Sequence, residues 1–167
     1  MSYQEKKAVV SVVSGALLLG AYCIYAFGKE GMANLENLRF WSTTMLIFIG
    51  IGVVAMIVIQ IVFHILLSIT LAVKKKIGDE SIDDKEIEKS IEREMGRDMV
   101  EDEMDQLIEL KANKIGYSFV SLGFVAGLIA LALGALPSVM LNILFLSCMA
   151  GAIVEGLIQL RYYRRGI

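Results

Sequence analysis

The sequence predicts an all-α, polytopic membrane protein with four transmembrane helices and an amphipathic cytoplasmic helical segment between the second and third. Two observations predict it. Hydrophobic residues make up 56% of the chain, mean hydropathy is +0.65 and there is a single proline, which excludes an ordinary soluble globular domain. The charge is also segregated. Residues 8–27, 41–73 and 115–136 hold no Asp, Glu, Lys or Arg, whereas 74–114 holds fourteen acidic and nine basic side chains.

Residues 1–7 read as a short cytoplasmic N-terminus and 8–27 as the first span, because a bilayer core of about 30 Å needs roughly 20 apolar residues in a helix. Helix is the open-chain form that satisfies its own backbone in lipid. Lys6 and Lys7 ahead of an apolar run also resemble a secretory signal. The run is longer than a signal core and no Ala-x-Ala site follows, so a retained helix is expected. Cys23 follows Tyr22 rather than the small residue expected before a lipidated cysteine, and reads as an apolar filler.

The outer connector, 28–40, is too short to fold into a ligand-binding domain. The second span, 41–73, is 33 residues long. At about 1.5 Å per residue it reaches roughly 50 Å, so it tilts or projects into the cytoplasm. Trp41 at its start reads as a marker of the outer interface.

Residues 74–114 form the acidic cytoplasmic segment. Ser81 and Asp84 have the spacing of a helix start, and Ile87, Ile91 and Met95 follow at four-residue intervals. Gly96 interrupts this helix. Val100, Met104, Leu107, Ile108 and Ile115 then resume a stripe that enters the third span without a break. Pairs such as Glu86 with Lys89 and Arg97 with Glu101 solvate the outer face. The net charge of −5 across the segment excludes nucleic acid, whose phosphates need a basic surface. Two readings remain for it: a solvated helix pair packed on the projecting second span, or a docking surface for a cytoplasmic protein.

The third span is 115–136, the fourth 137–160, and 161–167 is a cytoplasmic C-terminus. Lys6, Lys7, Lys74, Lys75, Lys76, Arg161, Arg164 and Arg165 flank three inner ends, against Lys29 and Arg39 in the outer connector. Both termini are therefore expected inside the cell membrane.

The run Asp102-Glu103-Met104-Asp105-Gln106-Leu107-Ile108-Glu109-Leu110-Lys111-Ala112, followed by an apolar span, resembles the acidic box and Lys-Ala pair of small prokaryotic multi-pass membrane proteins in a domain-of-unknown-function family. Met104 stands where an arginine is commoner, and the likeness covers a minor part of the chain. It implies a bacterial or archaeal cell membrane and four or fewer helices. It carries no activity, substrate or catalytic residue.

Small residues mark where helices approach closely in lipid. Gly116, Val120, Gly123, Gly127, Ala130 and Gly134 share one face of span three, and Gly123 with Gly127 make a Gly-x-x-x-Gly pair. Ser147 and Gly151 on span four are small at matching intervals, which predicts an intramolecular hairpin. A homodimer through the same glycines is the alternative.

Ionisable groups inside spans are costly and often functional. Glu155 aligns with Ser147, Gly151 and Gln159 on span four, and His64 aligns with Gln60 and Ser68 on span two. Both lie toward the inner interface, which permits a proton-responsive pair. The plainer readings are that Glu155 reaches the interface or pairs with Lys111, Lys114 or Arg161, and that His64 makes one interhelical hydrogen bond. One His and one Glu do not fill a zinc shell, and Cys23 and Cys148 lie at different depths, so neither a metal, a cofactor nor a disulfide is expected.

Phe63-His64-Ile65-Leu66 is not a His-Glu-x-x-His motif, and neither a phosphate loop nor a nucleophile elbow is present. The sequence therefore favours a non-catalytic integral membrane protein. It would serve as an accessory or regulatory subunit, partnered by the bilayer and by a protein or a second copy of itself. The alternative is a small proton-coupled transporter using Glu155 in an oligomer. Its size and helix count resemble those of small multidrug transporters, yet their essential acid lies in the first span, which here carries no charge.

Overall fold

A computed structural model describes residues 3–28, 31, 33–78 and 103–165. The expected helix over 81–95 and its interruption at Gly96 lie outside the described residues. Among the described residues there are four helices and no strand: α1 (Tyr3–Ala26), α2 (Leu38–Gly78), α3 (Glu103–Ala132) and α4 (Pro137–Arg165). Each is long and apolar enough to cross a membrane.

Local chemistry sets the helix ends. Asn37 caps α2, its Oδ1 accepting the Phe40 backbone N–H at 3.1 Å. Helix α2 thus starts three residues before Trp41 and runs past Val73 to Gly78. Helix α3 is continuous from the acidic segment into its apolar stretch, as the resumed stripe predicts, and stops at Ala132. The stop is a Schellman turn: the Ala135 N–H donates to the Ala130 carbonyl and the Gly134 N–H to the Leu131 carbonyl, both at 3.0 Å. Gly134 takes φ +88° there, which an L side chain rarely adopts, and nothing lies within 4 Å of its Cβ position. The expectation that Gly134 belongs to the packing face is therefore corrected: it terminates α3. Pro137 then opens α4, where a missing N–H costs nothing.

Successive helices run antiparallel, and α4 is the hub. It packs on α3 along one side and on α1 along the other, with lighter contact to α2. At one end, here the aromatic end, Tyr22, Ala26, Trp41, Met45 and Phe145 form the buried core, with Phe40, Phe48, Leu141, Leu146 and Met149 against it. The Tyr22 and Phe48 rings meet edge to face at 5.2 Å between centroids. Trp41 is 3% exposed and its indole N–H donates to the Asn34 carbonyl at 3.1 Å. It is thus a core residue, enclosed by α1 and the connector.

The opposite, basic end carries Lys6, Lys7, Arg161, Arg164 and Arg165. Arg164 Nε lies 3.3 Å from Glu5 Oε1 and ties the start of α1 to the end of α4. On the same side Lys111 Nζ sits 5.8 Å from the Tyr162 ring centroid. Helix α2 is seated at the aromatic end, where Trp41, Thr44 and Met45 are buried. From Leu46 onward none of its described side chains is buried.

Candidate functional site

The α3–α4 seam brings together most of the residues singled out by pattern. Gly123 lies against Ser147 so closely that a Cβ there would overlap both the Ser147 Cβ and its hydroxyl. Ser147 turns its Oγ back to donate to the Ile143 carbonyl of its own helix at 2.7 Å. A Cβ at Gly127 would stand 3.1 Å from Met140 Cγ, and one at Gly151 would stand 2.8 Å from the Gly116 carbonyl oxygen. Backbone meets backbone along this seam because the side chains are missing.

Glu155 extends the same face of α4, one turn beyond Gly151, and its Oε2 lies 3.2 Å from the Cβ position of Gly116. With its amide nitrogen turned toward the carboxylate, Asn113 donates to Oε1 at 3.1 Å and to Oε2 at 3.2 Å. Gln159 Nε2 donates to Oε1 at 3.3 Å. Glu155 is thus bracketed by two amides, one from α3 and one from its own helix. These hydrogen bonds come from amides rather than from Lys111, Lys114 or Arg161, which the sequence offered as partners.

The place of His64 in α2 is described, but its side chain lies outside the described residues. Leu18 contacts Gly52 across the antiparallel α1–α2 pair. The 12-residue steps from Gly52 to His64 and from Leu18 back to Lys6 put His64 about level with Lys6 by helical rise. Gln60 lines an open groove between α1, α2 and α4. Glu155 is not among the groove's lining residues; α4 gives it Met149, Ala152 and Ile153. The polar candidates divide accordingly: Glu155 and Gln159 join at the α3 seam, and Gln60 stands apart in the groove.

Pattern reading missed a second polar element. The Tyr22 hydroxyl donates to Asn142 Oδ1 at 2.7 Å, Asn142 Nδ2 donates to the Ser138 carbonyl at 2.8 Å, and the buried Ser138 hydroxyl donates to the Leu35 carbonyl. This relay links α1, α4 and the 28–40 connector at the aromatic end. An asparagine inside an apolar span was the signal available, since such a group seeks an interhelical partner. The α1–α4 seam was missed as well, with Gly156 against Val12 and Gly15 against Ile153.

No family model, curated protein or solved structure matches the chain. Among the described residues, no group of three or more His, Cys, Asp or Glu side chains gathers as a metal site. Cys23 and Cys148 are both free thiols. Amide-bracketed Glu155, the aromatic-end relay and the groove are what the bundle offers for function.

Proposed function

We propose that this chain is a non-catalytic, multi-pass cell-membrane protein with both termini in the cytoplasm. It acts as an accessory or regulatory subunit, holding a cytoplasmic protein through the acidic segment between α2 and α3. The observation that carries this reading is the use of Glu155: Asn113 and Gln159 hold it in the α3–α4 seam, away from the groove. A proton-coupled transporter would need that carboxylate facing a cavity that its substrate can enter.

The basic end supports the orientation, since Lys and Arg are retained on the cytoplasmic side. The helix lengths support a projecting platform. The 41 residues of α2 reach about 60 Å and the 30 of α3 about 45 Å by helical rise, against a core of about 30 Å. Both helices lead to the acidic segment at the basic end.

The test is affinity purification of the tagged chain from its native membranes in mild detergent. Wild type is compared with Glu155→Gln and with residues 81–102 replaced by a flexible linker, which spares α3. A stoichiometric protein partner that is retained by Glu155→Gln and lost with the linker is the expected result. Absence of any partner, together with an uptake phenotype that depends on Glu155, overturns the reading in favour of transport.

A further inference from the structure

The groove between α1, α2 and α4 has a volume of 710 Å³ and runs beside a stretch of α2 in which no described side chain is buried. Its walls are apolar, with Leu18, Ala21, Val53, Met56 and Ile153 among them. Polarity along it is uneven. Ser11, Ser14 and Gln60, the polar lining residues, come from the basic-end side of their helices. Toward the other end lie Ala21 and Ile49, next to the Tyr22 and Phe48 ring pair.

Beyond the polar end stands a basic collar. Lys6 and Lys7 are exposed on α1 within about one and a half turns of Ser11. Glu5, the acid beside them, is engaged by Arg164. An apolar slot that opens through hydroxyl and amide groups toward lysine matches one amphiphile: a fatty chain, then an ester region, then a negative headgroup. Basic pockets between helices on the cytoplasmic side bind such headgroups. A second protein helix is the competing occupant; Gly15 and Gly52 are covered by Ile153 and Leu18, and it is the lysines at the polar end that favour an anionic lipid over it.

We propose that this groove holds one acyl chain of a single anionic glycerophospholipid taken from the leaflet at the basic end. Its phosphate sits at Lys6 and Lys7, its ester region lies beside Ser11 and Gln60, and the chain runs along Leu18 toward the aromatic end. The inference rests on the membrane placement proposed above and is independent of the protein partner.

The experiment is native mass spectrometry of the full chain in mild detergent, titrated with dioleoyl phosphatidylglycerol or dioleoyl phosphatidylcholine. Wild type should take up one phosphatidylglycerol per chain at least about fivefold more tightly than phosphatidylcholine, a preference of roughly 1 kcal/mol. Lys6→Gln with Lys7→Gln should abolish that preference while leaving phosphatidylcholine binding unchanged. Ala152→Phe, at an exposed lining position, should weaken both lipids about tenfold with an unchanged unfolding midpoint. Leu133→Phe, at a position 83% exposed and outside the groove, should bind like wild type. Equal binding of the two lipids by wild type, or full binding by Ala152→Phe, overturns the proposal. So does a dimer that Ala152→Phe dissociates, which would make a second copy the occupant. Recovery of the chain in the soluble fraction rather than in carbonate-washed membranes would instead sink the membrane placement itself.

Discussion

Replacing Gly123 by alanine adds one methyl group where α3 and α4 are closest. The new Cβ would overlap the Ser147 hydroxyl, which a rotamer change relieves, and also the Ser147 Cβ, which no rotamer change moves. The helices must therefore separate. The Gly116–Gly151 contact on one side and Gly127 against Met140 on the other resist that shift. Overpacking of this kind costs about 1–3 kcal/mol, and the helix preference for alanine over glycine returns at most about 1 kcal/mol. The net expectation for Gly123→Ala is a loss of about 1–2 kcal/mol. Ser147→Gly removes both obstructing atoms, so the double variant should recover most of the loss, with a coupling energy of at least about 1 kcal/mol. Reversible unfolding in mixed micelles, followed by far-ultraviolet circular dichroism as the denaturing detergent fraction rises, measures all four corners of the cycle. Gly20→Ala is the control, because nothing lies within 4 Å of its Cβ position and it should match or exceed wild type. If Gly123→Ala unfolds with wild type, or if Ser147→Gly does not rescue it, the seam does not hold the hairpin in the manner described.

The same assay tests the polar elements. Tyr22→Phe removes the donor to Asn142 Oδ1 and should cost about 0.6 kcal/mol, with about 1.7 kcal/mol as the upper bound for such bonds in membranes; a larger loss would assign the relay a greater part than geometry gives it. Glu155→Leu strips Asn113 and Gln159 of their shared acceptor and should destabilise by about 1–3 kcal/mol. Glu155→Gln keeps one acceptor and should lose less; equal losses would contradict the amide bracket. Arg164→Ala breaks the pair with Glu5, but the arginine is 62% exposed, so the cost should stay under about 1 kcal/mol and vanish in high salt.

How far the pattern could be read depends on where each partner lies. The four helices were legible because lipid demands long apolar stretches and tolerates few charges. The Gly123 seam was legible because α3 and α4 join through a short turn, so the small residues of one helix predict those of the next. Gly134 deceived the periodicity argument, since its spacing continues the stripe while the chain has already turned out of the helix. Tyr22 and Asn142 could not be paired from sequence. They are 120 residues apart, and their meeting depends on α1 docking on the side of α4 opposite α3. Gln159 was in line with Glu155 by spacing, whereas Asn113 eluded a reading by charge because it is an amide on another helix.

The distribution of contacts gives α4 a different standing from α2. Its Met140, Ser147, Gly151 and Glu155 are committed to α3, while Asn142, Phe145, Ile153 and Gly156 are committed to α1. Both faces are occupied, so enlarging any of these side chains must displace a neighbouring helix. Helix α2 is clasped near Trp41 and Met45, and none of its described side chains from Leu46 onward is buried. Its Ile57, Val58, Ile61 and Val62 are exposed, and exchange among Ile, Leu and Val there should leave the bundle unchanged. Among the described residues the two helices that lead into the acidic segment are anchored unequally, with α3 packed closely on the hub and the buried side chains of α2 confined to its aromatic end. A partner that docks on the segment would meet a fixed strut on one side and, on the other, the helix that forms one wall of the groove.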